Sequence, residues 1–161
     1  MRMETIHIQR QIQHFEQRCK GAGLKVTHQR LEVYRELLGA RDHPSAETLY
    51  KRLERRLPTL SLDTVYRTLA TFEKLGLVHR LETAASQARY EVLHTRHHHF
   101  LCDVCGQVFD FFWPSFDTAE LPSNVGEIGT VDHASVVVHG TCTACAQAQQ
   151  EYDARQAESL Q

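Results

Sequence analysis

Long apolar runs are missing from this sequence. The longest are a few residues, such as Val136–Val137–Val138, far short of the roughly 20 apolar residues a bilayer-spanning helix needs. The opening MRMETIHIQRQIQHF carries no apolar core of a secretory leader, so a cytoplasmic, non-membrane protein is expected. Glycine (8) and proline (4) are scarce, which excludes collagen-like and low-complexity chains. With 42% hydrophobic and 24% charged residues among 161, wholesale disorder is excluded too, and the length suits one domain or two small ones. Positive charge is nearly absent beyond residue 92. Residues 1–92 carry 16 Lys+Arg against 11 Asp+Glu, whereas residues 93–161 carry 2 against 9. A net charge of −2 therefore hides a basic module joined to an acidic one. The expected division is 1–92, 93–146 and a polar, Gln- and Glu-rich tail at 147–161, frayed or helical.

The basic part reads as helices followed by a hairpin. Ile8, Ile12 and Phe15 recur at helical spacing before Gly21-Ala22-Gly23. Thr27 reads as the N-cap of HQRLEVYRELLGA, whose Leu31, Tyr34, Leu37 and Leu38 share a face. Ser45 caps a third helix ended by Pro58, and Ser61 a fourth, with Leu62, Val65, Leu69, Phe72 and Leu75 as its apolar stripe and Gly76 as its stop. Two short strands, Leu77–Leu81 and Ala88–Val92, follow. This order is that of a winged helix-turn-helix, in which the helix before the wing reads DNA. Opposite the stripe it presents Thr64, Arg67, Thr68 and Thr71, with Tyr66 near its start, and Arg80 and Arg89 lie on the wing as phosphate contacts. The bland alternative is a small helical bundle with a solvated basic face.

The acidic part holds four of the five cysteines, as Cys102-x-x-Cys105 and Cys142-x-x-Cys145, separated by 36 residues. Each pair offers two sulfurs from one tight turn, and two such turns close a tetrahedral zinc cage; redox CxxC chemistry explains two pairs in one small module less well. Cys19 stands alone as an apolar filler. Gln107–Trp113 and Thr130–Gly140 alternate like strands, Pro114–Asn124 suits a short helix limited by Pro122, and paired strands beside a zinc clamp offer a dimerisation surface. In an extended segment His97 and His99 point to one face and His98 to the other. With Glu91 and Asp110 nearby in sequence, such imidazole and carboxylate donors suit Fe(II), Mn(II) or Zn(II), the alternative being a surface His run at a domain junction.

Taken in order, GLKVTHQR at 23–30, DHPSAETLY at 42–50, SLDTVYRTLATFEKLGLV at 61–78, RYEV at 89–92, HHHFLCDVCG at 97–106 and CTAC at 142–145 resemble the ferric uptake regulator (Fur) family of bacterial metal-dependent repressors. The resemblance covers about residues 10–146. It implies an α+β chain: an N-terminal winged helix-turn-helix, then a small α/β dimerisation domain with structural Zn2+ at Cys102, Cys105, Cys142 and Cys145. It implies a regulatory Fe2+ or Mn2+ at His43, Glu91, His97, His99 and Asp110, drawn from both modules, and a homodimer bound to a double-stranded operator through Thr64, Tyr66, Arg67 and Thr68. Neither catalysis nor a small-molecule substrate is implied.

Within the family, Asp110 and VFDFFWPSFD resemble the peroxide-sensing PerR branch, whereas Arg67 and Glu91 resemble iron-sensing Fur. Zinc-sensing Zur proteins usually place a Cys in the sensing site, and none lies near 88–99. The balance falls on the PerR side, with Fur as the alternative. Some Fur proteins carry a further metal site; the nearest positions here are His98, Asp117 and His133, the last shifted by one residue, which would turn it to the other face. Two readings from other classes fit less of the chain. A zinc enzyme finds no HExxH or deaminase signature and no open position on a four-cysteine cage. A redox-switched zinc protein leaves TVYRTL and the wing unexplained.

Overall fold

The computed structural model describes residues 2–81, 87–92, 96–131 and 134–158. The chain divides into two compact units, Met1–His94 and Thr95–Gln161. No helix among the described residues is long and apolar enough to cross a membrane.

Unit 1 runs α1 (Arg2–Gly21), α2 (His28–Gly39), α3 (Ala46–Leu53), α4 (Leu62–Lys74), β1 (His79–Leu81) and β2 (Arg89–Glu91). The three caps read from sequence form as expected, each side chain satisfying an otherwise unpaired amide: Thr27 accepts from the Arg30 N–H, Ser45 from Thr48 and Ser61 from Thr64. At the end of α4, Gly76 adopts φ +64, and the chain turns there with the Leu77 N–H bonded to the Phe72 carbonyl at 2.9 Å. Three rings tie the helices together. Phe15 of α1 stacks on Tyr34 of α2 at 4.3 Å, and both meet Phe72 of α4 edge-on. Val33, Leu37, Leu49, Leu53, Val65 and Leu69 fill the space around them.

Burial pushes the Tyr34 hydroxyl up to about 12 from its ordinary 10.0, with the neighbouring Cys19 adding a smaller contribution. A phenol whose pKa is raised by folding holds its proton more tightly folded than unfolded. The stability it contributes is complete below pH 10, falls as pH rises above that, and is gone past about 12; two pKa units correspond to about 2.7 kcal/mol at most. Urea unfolding of unit 1 followed between pH 9 and 12 should therefore show a loss of stability across that window, and Tyr34→Phe should flatten it. A parallel slope in the two proteins would assign the loss to other groups.

Unit 2 runs β3 (His98–Cys102), β4 (Val108–Phe111), α5 (Pro114–Asp117), α6 (Ser123–Ile128), β5 (Val137–Gly140) and α7 (Thr143–Glu158). The sheet order is β4-β3-β5, with β4 antiparallel and β5 parallel to β3. Two expectations are corrected. The last strand begins at Val137 rather than Thr130: the parallel register sets Val137 against His99, and β3 itself begins only at His98, so the residues before Val137 have little strand to pair with. Pro122, expected to limit a helix, instead stands at the N-cap of α6, where a missing N–H costs nothing. The Gln-rich tail is helical: α7 continues without a break from Cys145 through residue 147. Across the three strands Phe100 pairs with Phe109 on one side and Val138 on the other, a row on one face; Phe109 and Val138 are exposed.

Candidate metal centres and nucleic-acid surface

The four paired cysteines converge. Their Sγ atoms all lie within 4.8 Å of one another, and Cys105 and Cys142 stand 3.9 Å apart. Around a tetrahedral ion at about 2.3 Å, sulfurs stand about 3.8 Å apart, so the set fits structural zinc with little adjustment. The local backbone makes the cage. Gly106 at φ +69 turns the first knuckle back, and its N–H donates to the Cys102 carbonyl at 2.8 Å. The Cys142 N–H donates to Cys102 Sγ at 3.3 Å. Backbone N–H groups of Cys105 and Cys142 hold the Cys102 thiol down to about 6, which favours the thiolate that binds zinc. Hydrogen bonding to the neighbouring sulfurs pushes Cys145 up to about 12.

The imidazole and carboxylate donors form two sets, one in each unit. In unit 1, His43 Nε2 lies 3.1 Å from Glu91 Oε2, both side chains being buried. Local structure brings them together. His43 sits at φ +46, a left-handed conformation that costs a non-glycine residue about 1 kcal/mol or more and concentrates at functional positions. The next carbonyl, Pro44, accepts the Tyr90 N–H at 3.1 Å and so pins the 42–44 turn beside β2. In unit 2, the antiparallel register sets His99 opposite Asp110. His97 and His99 approach to 3.1 Å through their Nε2 atoms, with Asp110 Oδ1 at 3.7 and 3.6 Å from them. Adjacent donors on an octahedral ion with bonds of about 2.1 Å stand about 3 Å apart, so each set offers donors at the spacing of one edge or face of such a shell. Nitrogen and carboxylate oxygen donors of this kind suit Fe(II), Mn(II) or Zn(II).

His98 and Asp117 also come together, while His133 lies outside the described residues. His98 is fully buried among Phe111, Trp113 and Phe116. Its Nδ1 accepts the Val136 N–H at 3.1 Å, which leaves the neutral ring's proton on Nε2, 3.4 Å from Asp117 Oδ1. A cation already faces this carboxylate. Arg96 Nε lies 2.8 Å from Asp117 Oδ1, ionic contact rather than a well-directed hydrogen bond, and the same guanidinium donates to the carbonyls of Asp117 and Ala134. Sequence reasoning missed Arg96; it is the first basic residue of an otherwise acidic unit, which was the available signal.

On α4, Arg67 projects into solvent with its side chain 81% exposed, 3.7 Å from Asp63. Tyr66 is also exposed, and its hydroxyl donates to Glu47 of α3. Thr64 is half-buried, its hydroxyl joined to the Ser61 cap at 2.8 Å. Thr68 corrects the sequence reading: at 5% exposure it faces inward. Three residues after Val65 and four before Phe72, it falls on the buried arc of the helix rather than opposite it. With Thr27, Arg30 and Arg67 it lines a cleft. Arg80 of the wing is exposed and Arg89 half-buried.

Comparison with known proteins places these features in a family. The ferric uptake regulator family profile matches residues 21–139. The chain is 33% identical over 127 residues to the peroxide operon regulator of Bacillus subtilis, covering 78% of this chain and 87% of that one. It is 32% identical over 125 residues to the peroxide-responsive repressor PerR of Staphylococcus epidermidis, covering 77% and 83%. The ferric uptake regulator Fur of Helicobacter pylori, described as having three functional metal-binding sites, superposes with a TM-score of 0.71 at 25% identity over 86% of this chain and 93% of that one.

Proposed function

The chain belongs to the ferric uptake regulator family, and on that premise we propose that it is a peroxide-sensing, metal-dependent repressor of the PerR type. The observation that carries the reading is the distribution of donors: His43 and Glu91 belong to unit 1, and His97, His99 and Asp110 to unit 2. An Fe2+ or Mn2+ ion held by all five supplies bonds that neither unit can make alone. Whichever inter-unit arrangement satisfies them is favoured by the differential affinity for that arrangement; a shift from 1:99 to 99:1 needs about a 10⁴-fold preference. The chain's own part is to hold the donors converging: the 42–44 turn is pinned to β2, and the β3–β4 register sets His99 against Asp110.

Regulators of this family are DNA-binding dimers. We assign base reading to Arg67, phosphate or base contact to Tyr66 and Thr64, and phosphate contact to Arg80. The exposed row of Phe109 and Val138 is the dimer surface, and the acidic unit 2 leaves only the basic units to face the polyanion. The region of His98 and Asp117 holds the Arg96 guanidinium in place of a third ion. The function is regulatory rather than enzymatic, and the cell compartment is the cytoplasm.

The test is a DNA-binding titration with Fe(II), Mn(II) and Zn(II), each with and without hydrogen peroxide. Metal should be required, and peroxide should release the iron form far faster than the manganese form. Release indifferent to peroxide would leave the iron-sensing Fur reading. Arg67→Ala should cost about 1–3 kcal/mol and relax selectivity at one base pair, while Arg80→Ala should weaken all sequences evenly and lower the salt slope. Unchanged operator binding by Arg67→Ala would remove α4 as the reader.

A further inference from the structure

The two oxygens of Glu91 are divided between two histidines. Oε2 faces His43 Nε2 at 3.1 Å, and Oε1 faces His79 Nδ1 at 3.3 Å. The hairpin register is the cause: His79 and Glu91 are direct partners across β1 and β2, so their side chains leave the same face. Glu91 is almost wholly buried, whereas the His79 side chain is 34% exposed, reaching the carboxylate from the solvent side.

We propose that His79 is a positioning residue for the regulatory metal: with its proton on Nδ1 it donates to Glu91 Oε1 and commits that oxygen, so that Glu91 offers the ion Oε2 alone. The inference rests on the five-donor reading above. Three imidazoles, one Asp110 oxygen and one Glu91 oxygen make five bonds, and an octahedral ion keeps a sixth position for water or another small molecule. A glutamate with both oxygens uncommitted can bind through both and fill that position. Its extra methylene, relative to aspartate, lets the carboxylate turn to do so. His79 thus sets the coordination number, and with it whether a small oxidant has access. Outer partners of metal ligands commonly act in this way, fixing the orientation of the group they bond.

The experiment uses the full chain with its zinc cage filled and Mn(II) as the probe, reading Mn(II) affinity and the relaxation of water protons, which requires an exchangeable water on the ion. The parent should show strong relaxation enhancement. His79→Ala should still bind one Mn(II), with affinity changed by no more than about a hundredfold, but should lose most of the enhancement. His79→Gln, whose amide N–H can replace the lost donor, should restore it. Unchanged enhancement in His79→Ala overturns the proposal. So does loss of Mn(II) as complete as in His43→Ala, which would make His79 a ligand itself. A parent chain that takes up no Mn(II) beyond the cage would overturn the five-donor reading instead, and the affinity measurement alone distinguishes that failure.

Discussion

Cys102→Ser is expected to empty the zinc cage and unfold unit 2. The bound zinc should fall from one per chain to near zero, and the cooperative melting of residues 95–161 should disappear. Three features meet at this sulfur. It is one of four donors within 4.8 Å, it accepts the Cys142 N–H, and backbone N–H groups hold its thiol well below the ordinary cysteine range. Serine offers a poorer zinc donor and leaves the other three sulfurs without a fourth. Unit 2 has little else to hold it. Its sheet has strands of five, four and four residues, and none of the residues of α5 or α6 is buried. In a fold this small the zinc-binding energy is folding energy. Unit 1 should keep its own transition, since Phe15, Tyr34 and Phe72 pack within it. Retained zinc with unchanged melting would refute the cage.

The second large effect concerns peroxide. Brief treatment of the iron-loaded protein should add one oxygen to His43 or His97. Hydrogen peroxide is the two-electron oxidant: its O–O bond and a ring C–H bond break, one oxygen bonds to that ring carbon, and the other leaves as water with the hydrogen the ring gives up. An oxidised ring is a poor ligand, so the ion departs and the DNA is released. The manganese-loaded protein should be spared, and the cysteines should stay unmodified at low peroxide because zinc masks their thiolates. Mass spectrometry of peptides containing His43 and His97, alongside DNA binding, decides it. Unmodified histidines with DNA binding retained would leave an iron-responsive regulator. His43→Ala and His97→Ala should each abolish metal-dependent DNA binding while keeping the cage zinc, and Asp110→Glu should keep that binding but blunt the response to peroxide.

Much of unit 1 was legible because its signals are local. A cap needs one hydroxyl and an amide three residues on, which is why Thr27, Ser45 and Ser61 could be read directly. The cage was legible for a similar reason, since each CxxC turn carries its geometry within four residues. Thr68 was misread because an apolar stripe marks the centre of a buried face and not its edges; a threonine one step from the stripe is buried by what packs there, which no helical count includes. The composition of 123–131 said nothing of α6, and the alternation that suggested a strand from Thr130 carries no information on where its partner β3 begins, which is at His98 with His99 set against Val137.

By itself the sequence determined the kind of chain this is: a basic winged helix joined to an acidic, four-cysteine module, with imidazole and carboxylate donors in both. Those features depend on residue identity and short spacing. Only the tertiary structure decided which donors have partners and of what sort. Pairing the expected strands end to end, Leu81 with Ala88, sets His79 opposite Tyr90; the observed register pairs Leu81 with Arg89 and brings His79 to Glu91. A slip of one residue moves a side chain to the other face, and the loop that sets it has no local code for register. Arg96 is the same case: its ion pair with Asp117 spans 21 residues and exists only because β3, α5 and the segment before β5 pack together.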